Sequence, residues 1–463
     1  MCWVTAGSGA EVVLVVVTTV GGVAEVIGAL VVLDEREQDA TRSMSTTPAP
    51  SRLIMRVSKH EHEGCSSSGY PPPMRTLYRD AAFADGRSAE LSHAQAVLVV
   101  DDRMEYLGPD DGAPAVAGAT VIDAGGSTIV PAMVDSHSHV TLPGGSHWIT
   151  RIGDDTSALL EAAEHNGGLM VQSGTRWARD VGSPRRDHGG RERALALPVR
   201  DGWHGRRDRP YIRAAGTWIT REGSLPPEVA VEVADVDALL AAVQRELEDG
   251  ADLIKLYLDG PDADTSPWTA SEVGRAVAAA ADRGARVTAH ATQLHGARAG
   301  VEGGVACIEH GTRLDADLAA LMAARGTFVV PTLTVYASWQ TFRSTTRIDR
   351  FTGGGSEERL AERRAASFES TRLARKAGVR IAAGTDFGGG SARANQMPWE
   401  VENLVEAGLE PWEALAAATW VGGELLGEPD AGVLNQGGPA DFFLVHGNPL
   451  EDPSALWRVW RVP

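Results

Sequence analysis

Apolar and polar residues alternate in two rhythms along this chain. From Met74 to Asp123, short apolar stretches such as Ala96–Val100 are broken by turn-rich segments, a pattern that predicts small β-strands. Further on the rhythm becomes helix, glycine, strand, repeated many times. Helical stretches run to Gly174, Gly250, Gly284, Gly304, Gly326 and Gly378, where glycine suits the left-handed helix cap. Thr269-Ala-Ser-Glu272 has the form of a capping box that opens one of these helices. After each glycine comes a β-rich run, and these runs finish on polar residues near Asp180, Lys255, His290, His310, Thr332 and Asp386. Helices alternating with apolar strands predict a parallel sheet with helical crossovers. So many units in one row predict an α/β fold of the closed (β/α)8 TIM barrel type, with its active site at the C-terminal strand ends. A strand-like tail, Ala440–Val445, is expected to pair with the N-terminal strands. Residues 74–127 and 428–463 would then form a small composite β-sandwich domain beside a catalytic barrel at 128–427.

The first 73 residues break the pattern. Val12–Leu33 is nearly continuously apolar, but no Lys or Arg precedes it and Glu25 interrupts it. Residues 40–73 are rich in Ser, Thr and Pro, a linker-like composition. This segment reads as a poorly ordered leader outside the catalytic fold, with Met74 as the natural beginning and an export or anchor segment as the competing reading. The expected location is the cytoplasm.

Charge narrows the partners. With 62 Asp+Glu against 43 Lys+Arg, the net charge of −19 argues against a nucleic-acid binder, which needs basic patches. No membrane partner is expected, the expected partner is a small-molecule substrate, and a homo-oligomer is allowed. The three cysteines lie far apart and exclude a disulfide framework. Only three of the 43 basic residues are lysines, Lys59, Lys255 and Lys376.

The chemistry collects at the predicted strand ends. In Val134-Asp-Ser-His137-Ser-His139, residues two apart on a strand project to one face, so both imidazoles can reach one metal ion. His60-Glu-His62 has the same spacing but lies in the polar leader with no strand before it, and reads as solvated. His290 and His310 end successive predicted strands. Each alone would read as a core histidine, and together with the first pair they read as metal ligands. Asp386 closes the last strand in Ala382-Ala-Gly-Thr-Asp386, where a metal ligand and general base outweighs a simple turn aspartate. Lys255, in the apolar run Leu253-Ile-Lys255-Leu-Tyr, is a lysine retained where nearly every other cation is Arg. A buried amine can lose its proton and react; an arginine cannot. It would either be carbamylated by carbon dioxide, giving a carboxylate that bridges two metal ions, or form a Schiff base with a carbonyl substrate.

Together these residues resemble the amidohydrolase superfamily, in particular its prolidase-like and imidazolonepropionase-like branch. The resemblance runs from Met74 to the end, through Ile122-Asp-Ala-Gly-Gly, Val130 to His139, Ser173 to Gly182, Ala289-His-Ala-Thr292, Glu309-His-Gly-Thr312, Gly384-Thr-Asp386, Gly438 to Val445 and Gly447-Asn-Pro-Leu450. It implies that His137 and His139 bind one metal, that a carbon dioxide-derived carbamate on Lys255 bridges to a second, and that His290 and His310 bind that second ion. Asp386 would bind the first ion and relay protons. The implied cofactors are two zinc ions, and the implied reaction is cleavage of an amide or peptide-like C–N bond by a metal-bound hydroxide.

Three departures stand out: Glu222-Gly-Ser224 replaces a Gly-Gly-His run, Lys255 is followed by Leu-Tyr-Leu-Asp-Gly-Pro, and the chain stops at Arg461-Val-Pro463, before the usual last strand. A mononuclear cyclic-amide hydrolase or deaminase, with His137, His139, His290 and Asp386 as ligands and His310 catalytic rather than a ligand, is the first rival. A Schiff-base lyase on Lys255 is the second, and a non-catalytic binding barrel the third. Tyr257, Arg221 and Tyr336 are candidate substrate contacts. The stretches 183–210 and 333–356 are expected to be the loops that set specificity.

Overall fold

The computed structural model describes residues 14–20, 23–30, 74–225, 229–262 and 264–463. Two compact units are distinguished, Met1–Tyr70 and Pro71–Pro463. In the first, Leu14–Val20 and Val23–Leu30 pair as antiparallel strands. The His60-Glu-His62 pair, Lys59 and the rest of the expected leader lie outside the described residues.

In the second unit the parallel strands carry the site. They are β1 (Met133–Ser138), β2 (Thr175–Asp180), β3 (Tyr211–Ala214), β4 (Leu253–Tyr257), β5 (Arg286–Ala291), β6 (Cys307–His310) and β7 (Phe328–Val330). Strands β1, β2 and β3 form one parallel sheet. Strands β4 to β7 form a second with Trp218–Arg221 and Ala230–Val233. The expectation of one continuous eight-stranded ladder differs from this: the links between the two sheets are single parallel bridges, Ala215 to Leu253, Val329 to Ile381 and Ser138 to Phe387. The segment 381–387 lies between β7 and β1, and there Asp386 N–H donates to His137 O at 2.8 Å. It forms bridges rather than a full ladder because it turns sharply: Asp386 has φ +54° and Gly388 follows at +84°. The result is a TIM-barrel-like α/β arrangement.

Helices cover the strands. They are α1 (Thr156–Gln172), α2 (Val236–Glu248), α3 (Ala270–Ala281), α4 (Leu294–Gly303), α5 (Ala316–Arg325), α6 (Thr334–Thr345), α7 (Ser356–Ala377) and α8 (Met397–Glu406). The Thr269–Glu272 capping box is formed on both sides. Helices α4, α5 and α7 end on left-handed Gly304, Gly326 and Gly378. Strand residues such as Ile254, Leu256, Ala289 and Ile308 share one core with helix residues such as Leu239, Val273, Ala276 and Leu318. Parallel strands buried on both faces need such apolar runs.

Two expected loops are in fact structured. Residues 183–210 contain the hairpin Arg185–His188 with Arg191–Ala194 and the helix Ala196–Trp203. Residues 333–356 contain α6, whose residues 334–339 are buried and drive the helix onto the fold.

Both ends of this unit meet in one seven-stranded hydrogen-bonded sheet. Phe442–His446 pairs antiparallel with Ser127–Pro131, and Val459–Arg461 pairs in turn with Phe442–His446, so the terminal residues do supply a last strand. One face packs Tyr78, Val97, Met104, Ile129 and Phe442, while the other packs Leu77, Ala96 and Leu98. This is the period-two alternation of a sheet covered on both sides.

Candidate metal centre

Strand β1 places His137 and His139 on one face, and the turn after residue 385 brings Asp386 against them. His139 Nε2 lies 3.2 Å and His137 Nε2 3.5 Å from Asp386 Oδ1. Among the described residues these three form a group whose ligand atoms all lie within 4.8 Å of one another. The approach requires Gly389, because a Cβ there would meet His139 Cδ2 at 2.1 Å.

The outer ring nitrogens are already committed. His139 Nδ1 is 2.7 Å from Gly182 O, a pure acceptor, so Nδ1 carries a proton and Nε2 is the atom turned to Asp386. His137 Nδ1 sits 2.7 Å from Glu309 Oε2. Burial, and then the charge of Lys255, depress the His137 pKa to about 4, so this imidazole is neutral at physiological pH. For His139 burial also works against the cation, but Asp386 and Asp180 outweigh it and raise its pKa. Asp386 itself is lowered: burial opposes ionisation, but His137, His139 and Lys255 overcome it. Two imidazole Nε2 atoms and a carboxylate thus converge, the donor set of a divalent metal.

Glu309 organises the wall behind His137. Its carboxylate accepts from Arg179 Nη2 at 2.6 Å and from Thr288 Oγ1, while Arg179 Nε donates to Ser136 O at 2.6 Å. Burial would raise its pKa, but Arg179, Lys255 and His137 hold it well below the ordinary value. Asp135 performs a similar task in the strand itself, accepting from Thr385 Oγ1 at 2.6 Å and from the His137 and Thr385 amides. Burial pushes its carboxyl up to about 6.

Lys255 lies 1 % exposed on β4, and its Nζ has no hydrogen-bond partner among the described residues. Burial, supported by Arg179, lowers its pKa to about 8 against the pull of Glu309. His310 and His290 stand beside the first pair, with ring centroids 4.9 Å apart for His137–His310 and 4.5 Å for His290–His310. They are not part of the tight group. His310 Nδ1 is 2.8 Å from Thr332 Oγ1, and His290 Nε2 is 3.2 Å from Asp259 Oδ2. Asp259 also accepts from the Thr292 amide and hydroxyl and the Gln293 amide. Burial, and then the closeness of the His290 and His137 rings, push the His310 pKa well below normal.

His137, His139, Lys255, Asp259, His290, His310 and Asp386 open into one cavity of about 740 Å³ that Trp148, Trp218, Tyr336 and Trp339 also line. Tyr257 lines it, stacked on His290 at 4.0 Å, and Tyr336 lines it with its hydroxyl 3.3 Å from Thr312 Oγ1. Arg221 does not line it. Its guanidinium lies 4.8 Å over the Trp268 ring and donates to Pro267 O. Sequence reasoning passed over Glu309, Asp135 and Asp259. Glu309 and Asp135 sit next to, or two residues from, a histidine at a predicted strand end. That adjacency was the available signal.

Comparison with known proteins fits this geometry. The amidohydrolase family model matches residues 128–461. An uncharacterized protein of Mycobacterium tuberculosis is 31% identical over 353 residues, covering 74% of this chain and 85% of that protein. An imidazolonepropionase of Salinispora arenicola is 29% identical over 415 residues, covering 83% and 92%. A solved Xaa-Pro dipeptidase with methionine bound in its active site superposes with a TM-score of 0.71 at 26% identity, covering 83% of this chain and 97% of that one. No described helix is long and apolar enough to cross a membrane. The chain belongs to the amidohydrolase family, metal-dependent hydrolases of carbon–nitrogen bonds.

Proposed function

We propose that this enzyme hydrolyses an amide or peptide-like C–N bond with a divalent metal, zinc by preference, held by His137, His139 and Asp386. The observation that supports it most is the pair of Nε2 atoms converging on Asp386 with both Nδ1 atoms already bonded elsewhere. When bound, the ion acts as a Lewis acid toward the carbonyl and lowers the pKa of water. Asp386 takes a proton from the attacking water and returns it to the leaving nitrogen, a general base then general acid role. Glu309 and Gly182 hold the imidazoles in register. The apolar cavity walls exclude bulk water from the reacting bond.

A second ion fits the far side of the site if Lys255 is carbamylated. Its neutral Nζ attacks the carbon of carbon dioxide, an N–C bond forms, and one proton leaves to solvent. The product is a carboxylate beside His310 and His290. Support comes from the buried, unpartnered amine with its lowered pKa. The one-metal reading would hold the ion with His137, His139, His290 and Asp386 and leave His310 to act on the substrate; in either reading His290 Nε2 would have to give up its contact with Asp259 at 3.2 Å to bind the ion. We also read the bridges at 215–253, 329–381 and 138–387 as closing a ring of eight strand segments, with 74–127 and 428–463 as its companion domain.

Metal content of the purified enzyme separates the readings, with about two ions per chain for the bridged site and about one for its rival. Amide hydrolysis is tested on a panel of N-acyl amino acids, Xaa-Pro dipeptides and cyclic amides. Turnover that survives complete metal removal would refute the proposal.

A further inference from the structure

Arginines in this acidic chain are mostly paired, but one group at the cavity is not. Arg350 and Arg363 line the main cavity, and both also line an adjoining chamber of about 260 Å³ together with Arg359 and Trp339. Among the described residues none of these three arginines has a carboxylate within 4.0 Å. Nearby acids are engaged elsewhere: Glu357 pairs with Arg343 at 2.9 Å and Glu362 with Arg313 at 2.6 Å. The positive charge facing the cavity is therefore uncompensated.

Its geometry is prepared for a ligand. The Arg350 guanidinium packs against two neighbouring indoles, 4.5 Å from the Trp148 ring and 4.9 Å from the Trp339 ring, whose centroids are 6.2 Å apart. These cation–π contacts restrain the Arg350 side chain, so less of its freedom remains to be lost on binding. Burial, and then the like charge of Arg363, disfavour the Arg350 cation, a cost that an arriving anion relieves. Trp148 and Trp339, 8% and 7% exposed, add indole N–H groups that are buried without partners. Buried donors left unpaired call for an acceptor.

We infer that this chamber binds a carboxylate of the substrate, so that the preferred substrates are amides bearing a free carboxylate, such as N-acyl amino acids and peptides with a free C-terminus. Indole faces beside the fork suit an apolar or aromatic group next to that carboxylate. In a molecule of net charge −19 the arginines also reverse the local field that would repel such substrates. The inference takes the cleaved bond from the proposed function, but the binding step stands apart from it.

Calorimetric titration of the metal-loaded enzyme with phenylacetate and with phenylacetamide tests binding without turnover. The carboxylate is expected to bind at least ~10-fold more tightly, the effect of one charge-assisted hydrogen bond. Arg350→Met with Arg363→Met should abolish the difference, and Arg350→Lys with Arg363→Lys should keep part of it. Equal binding of the two ligands to the wild type, or a preference that survives the Met variant, overturns the inference. The ratio of kcat/KM for an N-benzoyl amino acid to that for its C-terminal amide should fall with the same variants. Carboxylate preference in titration, without hydrolysis of any amide, would support the chamber and count against the proposed reaction.

Discussion

Asp386 is asked to bind metal, accept a proton and donate it, so its removal should be the most costly single change. Asp386→Ala is expected to lower kcat by at least ~10²–10⁴-fold with an unchanged thermal midpoint, in line with the loss of a general base; near-wild-type turnover would sink its assigned role. Glu309→Gln tests a different link. It leaves the ligands intact but weakens the partner that orients His137 and strands part of the Arg179 charge. Metal affinity, measured by chelator competition, should fall ~10–100-fold. Six of the chemistry-bearing residues were legible because strand ends mark them: His137, His139, Lys255, His290, His310 and Asp386. That His137 and His139 share a face was legible from their spacing, but the backbone turn that carries Asp386 to them was not. Convergence depends on left-handed backbone at His310, Thr332 and Asp386, with φ of +69°, +51° and +54°, and nothing in those residue types announces it. Such outliers concentrate at functional sites because the surrounding fold must hold them in place.

Helices and their ends explain much of what was readable at the next scale. The Thr269 capping box was visible as a four-residue pattern and is formed with both partners. Thr269→Ala should cost about 1 kcal/mol in denaturant unfolding, with an unchanged m-value and unchanged metal content. The bend that separates Tyr211–Ala214 from Trp218–Arg221 was not readable. There Thr217 N–H donates to the buried Glu246 carboxylate, and a Cβ on Gly216 would collide with that same group. The requirement comes from α2, some thirty residues away in sequence, so no local pattern shows it. Helix α8 offers a pH test. Glu400 accepts from the Leu333 and Thr334 amides and the Thr334 hydroxyl, yet burial outweighs these bonds and raises its carboxyl to about 7. A folded pKa above the unfolded one stabilises the fold below pH ~4.5, and that contribution is lost as pH rises through 7. Stability of the wild type relative to Glu400→Gln should therefore decline between pH 5 and 8. A flat difference across that window would count against a protonated Glu400.

For the whole molecule, the repeated helix–glycine–strand rhythm revealed the class of fold, and the N-terminal and C-terminal apolar runs revealed which ends would meet. The order in which those strands pair was not foreseeable, because alternation along a strand tells which residues share a face but not which strand lies beside which. Pro71–Pro463 is a compact unit, so a chain begun at Met74 should keep the thermal midpoint and the turnover of the full chain. A large loss of either would show that the preceding residues contribute to the enzyme. The sheet also bears on how the protein is made. Ser127–Pro131 finds its antiparallel partner only in Phe442–His446. At ~5–20 residues per second, a ribosome needs roughly 15–60 s to synthesise what lies between them. Throughout that interval an apolar strand waits with one edge open, the condition under which nascent chains aggregate or engage chaperones. Synthesis rate and chaperone supply, more than final stability, would then set the yield of this enzyme in a foreign host.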